Sequence, residues 1–397
     1  MRPVLLESFT ASSCIGLGLE QTFESLLAQR SGLKSCEFET VDIDTHIGEV
    51  PGVDAVRLPE ELARFDCRNN RLAELALRQD GFLEAVQGAA SRWNRSRIGV
   101  FIGTSTAGIL QTELAYRERD PVSGALPASF EYGATHNSFS VADYLRQRLQ
   151  LEGPAVVVSC ACASSAKVFG SARRMLEAGI IDAALVGGVD SLCLTTLYGF
   201  HSLQLSSRLP CRPFDVARDG ISIGEAAAFA LLERPSENLD GDAILLLGVG
   251  ESSDAYHMSA PHPEGHGARR AMQAALRAAG LDASAIDYIN LHGTATPSND
   301  RSESHAVTSV FGATTPGSST KGATGHTLGA AGALEAVICA IALRKGLMPG
   351  GVHTTHVDPT LTAHYIRENR RSPVAHVLSN SFGFGGTNCS LIFGRPG

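Results

Sequence analysis

The chain of 397 residues can bury a large core and form two or three domain-sized units. With 44% hydrophobic and 19% charged residues it is ordinary globular material, which excludes a disordered or collagen-like protein. A net charge of −8 argues against indiscriminate nucleic-acid binding, and an odd count of nine cysteines without a CxxC pair argues against a disulfide framework.

The thiols are therefore expected to be reduced, mostly as small core residues of a cytoplasmic protein. Glu7 interrupts the apolar stretch after Arg2, so no signal peptide is expected. The most apolar later stretch, residues 329–343, contains Glu335 and is too short to cross a membrane.

In chain order, Arg64, Arg68 and Arg71 come first, at i, i+4 and i+7, the spacing of one helical face. The plain reading is a solvated charged face; the functional one is a dock for an acidic partner. Ala155–Ser159 then reads as a buried strand, followed by a helix rich in Ala and Ser over residues 163–178 that Gly179 stops. Ala183–Val186 is strand-like, closed by Gly187 and Gly188. A polar stretch, Ser236–Asp242, separates two apolar runs and predicts a boundary between halves at residues 1–240 and 241–397. A helix over 268–279, a strand over 286–291, a long helix over 327–345 and late strands at 374–378 and 390–393 follow. This alternation predicts an α/β fold with sheets covered by helices.

Four segments carry chemistry-bearing residues. Cys162 lies where the AVVVS strand meets the small-residue helix, so the helix N-terminus favours thiolate; alone, it reads better as a buried core cysteine. His292-Gly293-Thr294-Ala295-Thr296 follows a strand and suits a cleft. Lys321 and His326, separated by glycines at a helix start, suggest an anion-handling site, but the GxxxxGK[ST] order of a phosphate loop is absent. The GFGGTN turn, Gly383–Asn388, directs backbone N–H groups at a ligand or is simply a tight hairpin.

Taken together and in this order, these segments resemble the elongating β-ketoacyl-ACP synthases of the thiolase superfamily. The resemblance runs over nearly the whole chain, including Arg212-Pro213-Phe214-Asp215, Arg218-Asp219-Gly220, Gly224-Glu225-Ala226, Asp254–Met258 and Asn299-Asp300…Glu303. It implies a five-layered α-β-α-β-α fold with two similar mixed-sheet halves. A narrower similarity, in Gly103–Gly108, Cys67–Arg71 and Gly220–Glu225, is to the ketosynthases of aryl polyene pathways.

The resemblance implies that Cys162 holds an acyl chain taken from the phosphopantetheine arm of an acyl carrier protein. Malonyl carrier protein then loses CO2, and the enolate attacks the acyl group. It assigns His292 and His326 to enolate stabilisation, Lys321 to their orientation, and Glu303 to a supporting role beside Lys321. The oxyanion hole falls to the N–H groups of Cys162 and Phe384, with Phe384 also a gate. Pantetheine contacts fall to Thr294 and Thr296, the acyl pocket to Thr106, and carrier docking to Arg64, Arg68, Arg71 and Arg208. No metal or redox cofactor is required. His257, His262 and His266 lack the spacing of a zinc site, and packing accounts for Cys160 and Cys389. A homodimer, or a heterodimer with a Cys-less chain-length factor, stays open, as does housekeeping fatty-acid elongation. A thiolase fits less well, because it would want a second, acid–base cysteine in place of His326 that the GFGGTN turn does not supply; a non-catalytic scaffold subunit fits less well, because Cys162 and both histidines are present.

Overall fold

The computed structural model describes residues 2–396. Its core strands are β1 (Val4–Ser13), β2 (Ile98–Gly103), β3 (Ala155–Val158), β4 (Ala183–Asp190) and β5 (Ala226–Glu233), then β6 (Ile244–Ser253), β7 (Tyr288–Asn290), β8 (Gly317–Ser318), β9 (His376–Gly383) and β10 (Thr387–Gly394). Their order across one mixed sheet is β8-β7-β9-β10-β6-β1-β5-β4-β2-β3.

That order contains a repetition the sequence does not display. The first five strands run third, second, fourth, fifth, first, and the last five do the same. The pairing matches as well. β2 is parallel to β3 and β4, and β4–β5 and β5–β1 are antiparallel. β7 is parallel to β8 and β9, and β9–β10 and β10–β6 are antiparallel. Antiparallel pairing of β1 with β6 joins the sets.

The principal helices are α1 (Arg68–Leu77), α2 (Ser164–Glu177), α3 (Leu194–Ser202), α4 (His266–Ala279), α5 (Pro297–Phe311) and α6 (Ala331–Lys345). α2 and α6 pack on each other between the two halves of the sheet; α1 covers the outside of the first and α4 that of the second, with α5 on α4. The result is the expected α-β-α-β-α layering. The sequence of α6 explains its central place: Ala331–Leu343 is buried all round, whereas a surface helix keeps a polar face. Among the described residues no helix is long and apolar enough to cross a membrane.

Several element boundaries differ from expectation, among them the strand expected at 374–378, which is His376–Gly383, and two that bear on the site. β4 continues through Gly187 and Gly188 to Asp190 instead of stopping at Val186. A Cβ on Gly188 would lie 2.5 Å from the Ser165 side chain and 2.8 Å from the Ala330 Cα. The glycine therefore marks close packing of strand against the central layer, not a turn. The long helix expected from residue 327 begins as a short 3-10 turn, Leu328–Ala330, before α6 proper.

Candidate active site

Cys162 sits between β3 and α2, just before the helix's first turn. Ala161 precedes it with φ 54°, a conformation that costs a non-glycine residue energy and turns the chain sharply. The Ser164 hydroxyl fastens this corner, accepting from Cys160 N at 2.9 Å and donating to Ala161 O at 2.6 Å. The end of β9 presses against the same corner, and the thiol sulfur faces the backbone N–H groups of Phe384 and of Cys162 itself.

His326 occupies the corresponding corner of the second half, between β8 and α6. Its N–H donates to Ser222 O at 2.7 Å and its carbonyl accepts from Gly224 N at 3.0 Å. Gly325 reaches this position with φ 70°, where a Cβ would lie 2.9 Å from Gly224 N. The His326 Nε2 thus arrives 3.0 Å from the Cys162 Sγ.

His292 follows β7. The Glu303 carboxylate accepts from His292 N at 2.8 Å and Gly293 N at 2.7 Å, and Asn380 donates to it at 3.2 Å. The His292 ring stands edge-on to that of His326, with centroids 5.4 Å apart. Lys321, 1% exposed, donates to His292 O at 2.6 Å and lies 3.4 Å from His292 Nδ1. An ammonium has protons to give and none to accept, so Nδ1 is the acceptor and the ring proton rests on Nε2.

The carboxylate beside Lys321 is Glu335, on α6, not Glu303 as expected. Glu303 acts one step away, through the His292 backbone. Glu335 was visible in the sequence as a lone acid inside an apolar stretch, and a buried charge of that kind requires a partner. Its position 14 residues after Lys321 concealed which partner.

Burial sets the resting protonation. It pushes the Cys162 thiol up to about 12, although Lys321 and the two backbone N–H groups pull the other way. The expectation of a resting thiolate is therefore corrected: loss of water outweighs the helix N-terminus. Burial, then the Lys321 charge, hold His326 well below the usual histidine range; His292 is lowered likewise, with His326 adding to the effect. Both rings are neutral. The pocket is a buried thiol, two neutral imidazoles and a compensated ammonium.

The cleft above them is lined by Phe200, Leu205, Ile221, Thr294, Thr296 and Phe384, and encloses about 50 Å³. That is room for a water or two, not an acyl chain. The Phe384 and Phe200 rings meet at 5.7 Å and close it. Thr294 and Thr296 hydroxyls bond to each other at 2.9 Å within reach of the cavity.

Thr106, expected at the acyl pocket, is buried. It is outside the cavity lining, and its hydroxyl donates to Asp190 Oδ1 at 2.9 Å. Asp190 went unnoticed in the sequence. It accepts from the Thr104 hydroxyl at 2.7 Å, from Ser105 N at 2.7 Å and Thr106 N at 2.9 Å, and from Gly329 N at 2.5 Å, tying the loop after β2 to the start of α6.

The arginine face is also corrected. Arg64 ends a 3-10 turn, Glu60–Phe65, whereas Arg68 begins α1, so no single helix carries all three. Arg68 is 6% exposed and forms a two-pronged bond to Glu225 at 2.7 and 2.9 Å. Arg71 pairs with Asp66 at 2.5 Å, and Arg64 and Arg208 are exposed.

A strand–corner–helix cysteine facing an imidazole from the equivalent corner of a repeated half defines a condensing-enzyme architecture. The family models described as the N-terminal and C-terminal domains of beta-ketoacyl synthase match residues 1–238 and 244–355. The chain belongs to the β-ketoacyl synthase family. It is 33% identical to a 3-oxoacyl-[acyl-carrier-protein] synthase 2 of Coxiella burnetii, covering 99% of each protein. It is 31% identical to the enzyme of that name from Staphylococcus aureus, covering 98% of this chain and 97% of the relative. Among solved structures, the ketosynthase ApeO of Xenorhabdus doucetiae, in complex with its chain length factor ApeC, superposes with a TM-score of 0.90 at 36% identity, covering 100% of this chain and 98% of that one.

Proposed function

We propose that the chain is a β-ketoacyl-ACP synthase, an acyltransferase that extends a Cys162-bound acyl group by decarboxylative condensation with malonyl carrier protein. One observation carries the reading: the Cys162 Sγ stands 3.0 Å from His326 Nε2 in a cleft also lined by His292, whose Nδ1 lies 3.4 Å from Lys321 Nζ. The two halves divide the work. Residues 1–240 supply the nucleophile, and residues 241–397 supply His292, Lys321, His326 and the Phe384 turn.

In the first step the thiol passes its proton to the neutral His326 as sulfur attacks the thioester carbonyl. The tetrahedral oxyanion collects the N–H groups of Cys162 and Phe384. The pantetheine thiol leaves with the proton. Storing the acyl group splits one three-body encounter into two binding events. In the second step malonyl carrier protein releases CO2, and the enolate oxygen takes hydrogen bonds from His292 Nε2–H and from His326. Losing one such donor costs roughly 3 kcal/mol, or about 100-fold in rate. The enolate carbon then attacks the acyl carbonyl and Cys162 departs as the leaving group. The residues supply both steps without a bound cofactor; the phosphopantetheine arrives on the substrate.

Phe384 is the gate, since the closed cleft admits no chain. Thr294 and Thr296 receive the pantetheine amides. Arg64, Arg71 and Arg208 dock the acidic carrier, while Arg68 serves the fold. A second subunit of ketosynthase fold pairs along β3. This strand ends the sheet with half-buried Ala155–Val158, an unprotected apolar edge of the kind that proteins cover. The likeness to ApeO, at 36% identity against 33% for the 3-oxoacyl-[acyl-carrier-protein] synthase 2 of Coxiella burnetii, favours a polyenoyl or aryl polyenoyl substrate and a chain-length factor as that subunit.

Intact-protein mass spectrometry after incubation with acyl carrier proteins tests this. An acyl adduct on Cys162 is expected, absent in Cys162→Ala. His292→Ala should hold the adduct but fail to release CO2 from malonyl carrier protein. No adduct from any carrier in a panel of saturated and polyenoyl chains would remove the proposal.

A further inference from the structure

From sequence, no metal was expected, and the carbon–carbon bond chemistry above needs none. Yet Cys162, His292 and His326 are the one group of three or more potential metal-ligating residues among the described residues whose ligand atoms converge, all within 4.8 Å of one another. We propose that this trio is also a reversible binding site for a thiophilic divalent cation of the zinc type, which occupies the nucleophile and silences it.

The donor set is one sulfur and two imidazole nitrogens, the mixture that selects zinc over calcium or magnesium. Three protein ligands and an open fourth position facing a cavity of about 50 Å³ match an open site, with water completing the tetrahedron. Bond lengths of about 2.0 to 2.3 Å place tetrahedral ligands roughly 3.3 to 3.7 Å apart. The sulfur and His326 Nε2 are already closer, at 3.0 Å, and the widest separation has roughly 1 Å to close.

The tautomers matter. Ligation through His326 Nε2 uses the same lone pair that takes the thiol proton in acyl transfer, so its ring proton stays on Nδ1. Ligation through His292 Nε2 puts a proton on Nδ1, against Lys321 Nζ at 3.4 Å. Cys162 and His326 are therefore the anchors and His292 the weakest ligand. Lys321 repels the ion, but Glu335 compensates that charge. Binding forms one metal–sulfur and two metal–nitrogen bonds, displaces water from the hydrated ion, and releases the thiol proton to solvent. No electron moves.

The test is titration of the full chain with Co2+ as a spectroscopic probe, followed by displacement with Zn2+. A near-ultraviolet thiolate-to-cobalt band is expected, with one proton released per ion and loss of the band on adding Zn2+. Loss of a true ligand should weaken binding by more than the roughly 10- to 100-fold that outer-shell partners carry, in the order Cys162→Ala, His326→Ala, His292→Ala. Alkylating Cys162 in the unmutated protein should abolish the band, which covers the case of a variant that misfolds. No band, or a band undiminished in Cys162→Ala and in the alkylated protein, overturns the proposal. The readout requires no substrate: a cobalt band without acyl transfer would fault the synthase reading alone, and an acyl adduct without a band would fault this one alone.

Discussion

Glu335→Gln isolates the contribution of the buried ion pair, because it removes a charge while keeping the shape of the side chain. Lys321 and Glu335 are 1% and 2% exposed, so water cannot replace the lost partner. Removing one member of a buried pair costs about 3–5 kcal/mol when the other stays charged. The Lys321 ammonium, left without its carboxylate, still reaches His292 O at 2.6 Å and lowers the affinity of His292 and His326 for protons more strongly than before. The expected outcome has two parts: a loss of stability in urea of about 3–5 kcal/mol, and a pH profile for malonyl decarboxylation whose acid limb moves to lower pH. Acylation of Cys162 at neutral pH should change less than CO2 release. If Glu335→Gln stays within about 0.5 kcal/mol of the parent, the range of a purely surface effect, and keeps the parent pH profile, the ion pair does not position this site.

Three further outcomes follow from particular contacts. Arg68→Ala leaves Glu225 buried without its counterion and should cost about 3–5 kcal/mol, whereas Arg64→Glu and Arg208→Glu should alter stability by under about 0.5 kcal/mol and raise KM for the carrier, with the effect fading in high salt; denaturation curves and carrier titrations separate the two. Burial raises Glu303 from 4.5 to about 7, so the folded state holds its proton more tightly than the unfolded one. This contribution is full below about pH 4.5 and falls by about 1.4 kcal/mol per unit until pH passes about 7; urea midpoints at pH 5 and pH 8 should differ less in Glu303→Gln than in the parent. Phe384→Ala opens the 50 Å³ cleft and should speed alkylation of Cys162 by bulky reagents such as N-substituted maleimides, measured by mass; an unchanged labelling rate would mean the ring does not gate the thiol.

The location of the chemistry was legible because Cys162, His292 and Lys321 with His326 each follow a strand, and elements of that kind show in local composition. Glu335 and Asp190 were not, because what they do depends on partners far off in the chain: Lys321 for one, Thr104, Ser105, Thr106 and Gly329 for the other. Arg68 misled for a related reason. Its i, i+4 spacing describes a helix surface, but only the tertiary structure decides whether that surface meets solvent or Glu225. Gly187 and Gly188 read as a turn because glycine usually breaks strands; here neighbouring β5 at Gly187 and the central layer at Gly188 leave no space for a Cβ. The two similar halves were expected from the family resemblance alone; the residues do not display them because the equivalent strands differ in length, β3 with four residues against β8 with two.

The doubled order has an evolutionary and practical side. Each half delivers one reactive group at the same topological station, the passage from its third strand into its central helix: a thiol in one, an imidazole in the other. An ancestral single unit associating with its own copy would have presented two identical stations face to face, free to diverge only once both were encoded in one chain. Splitting the gene again, between Glu233 and Ile244, would yield fragments that each retain a corner and lack its counterpart. Working activity should return only when the fragments zip together along β1 and β6, so this seam is a ready place to build a complementation reporter.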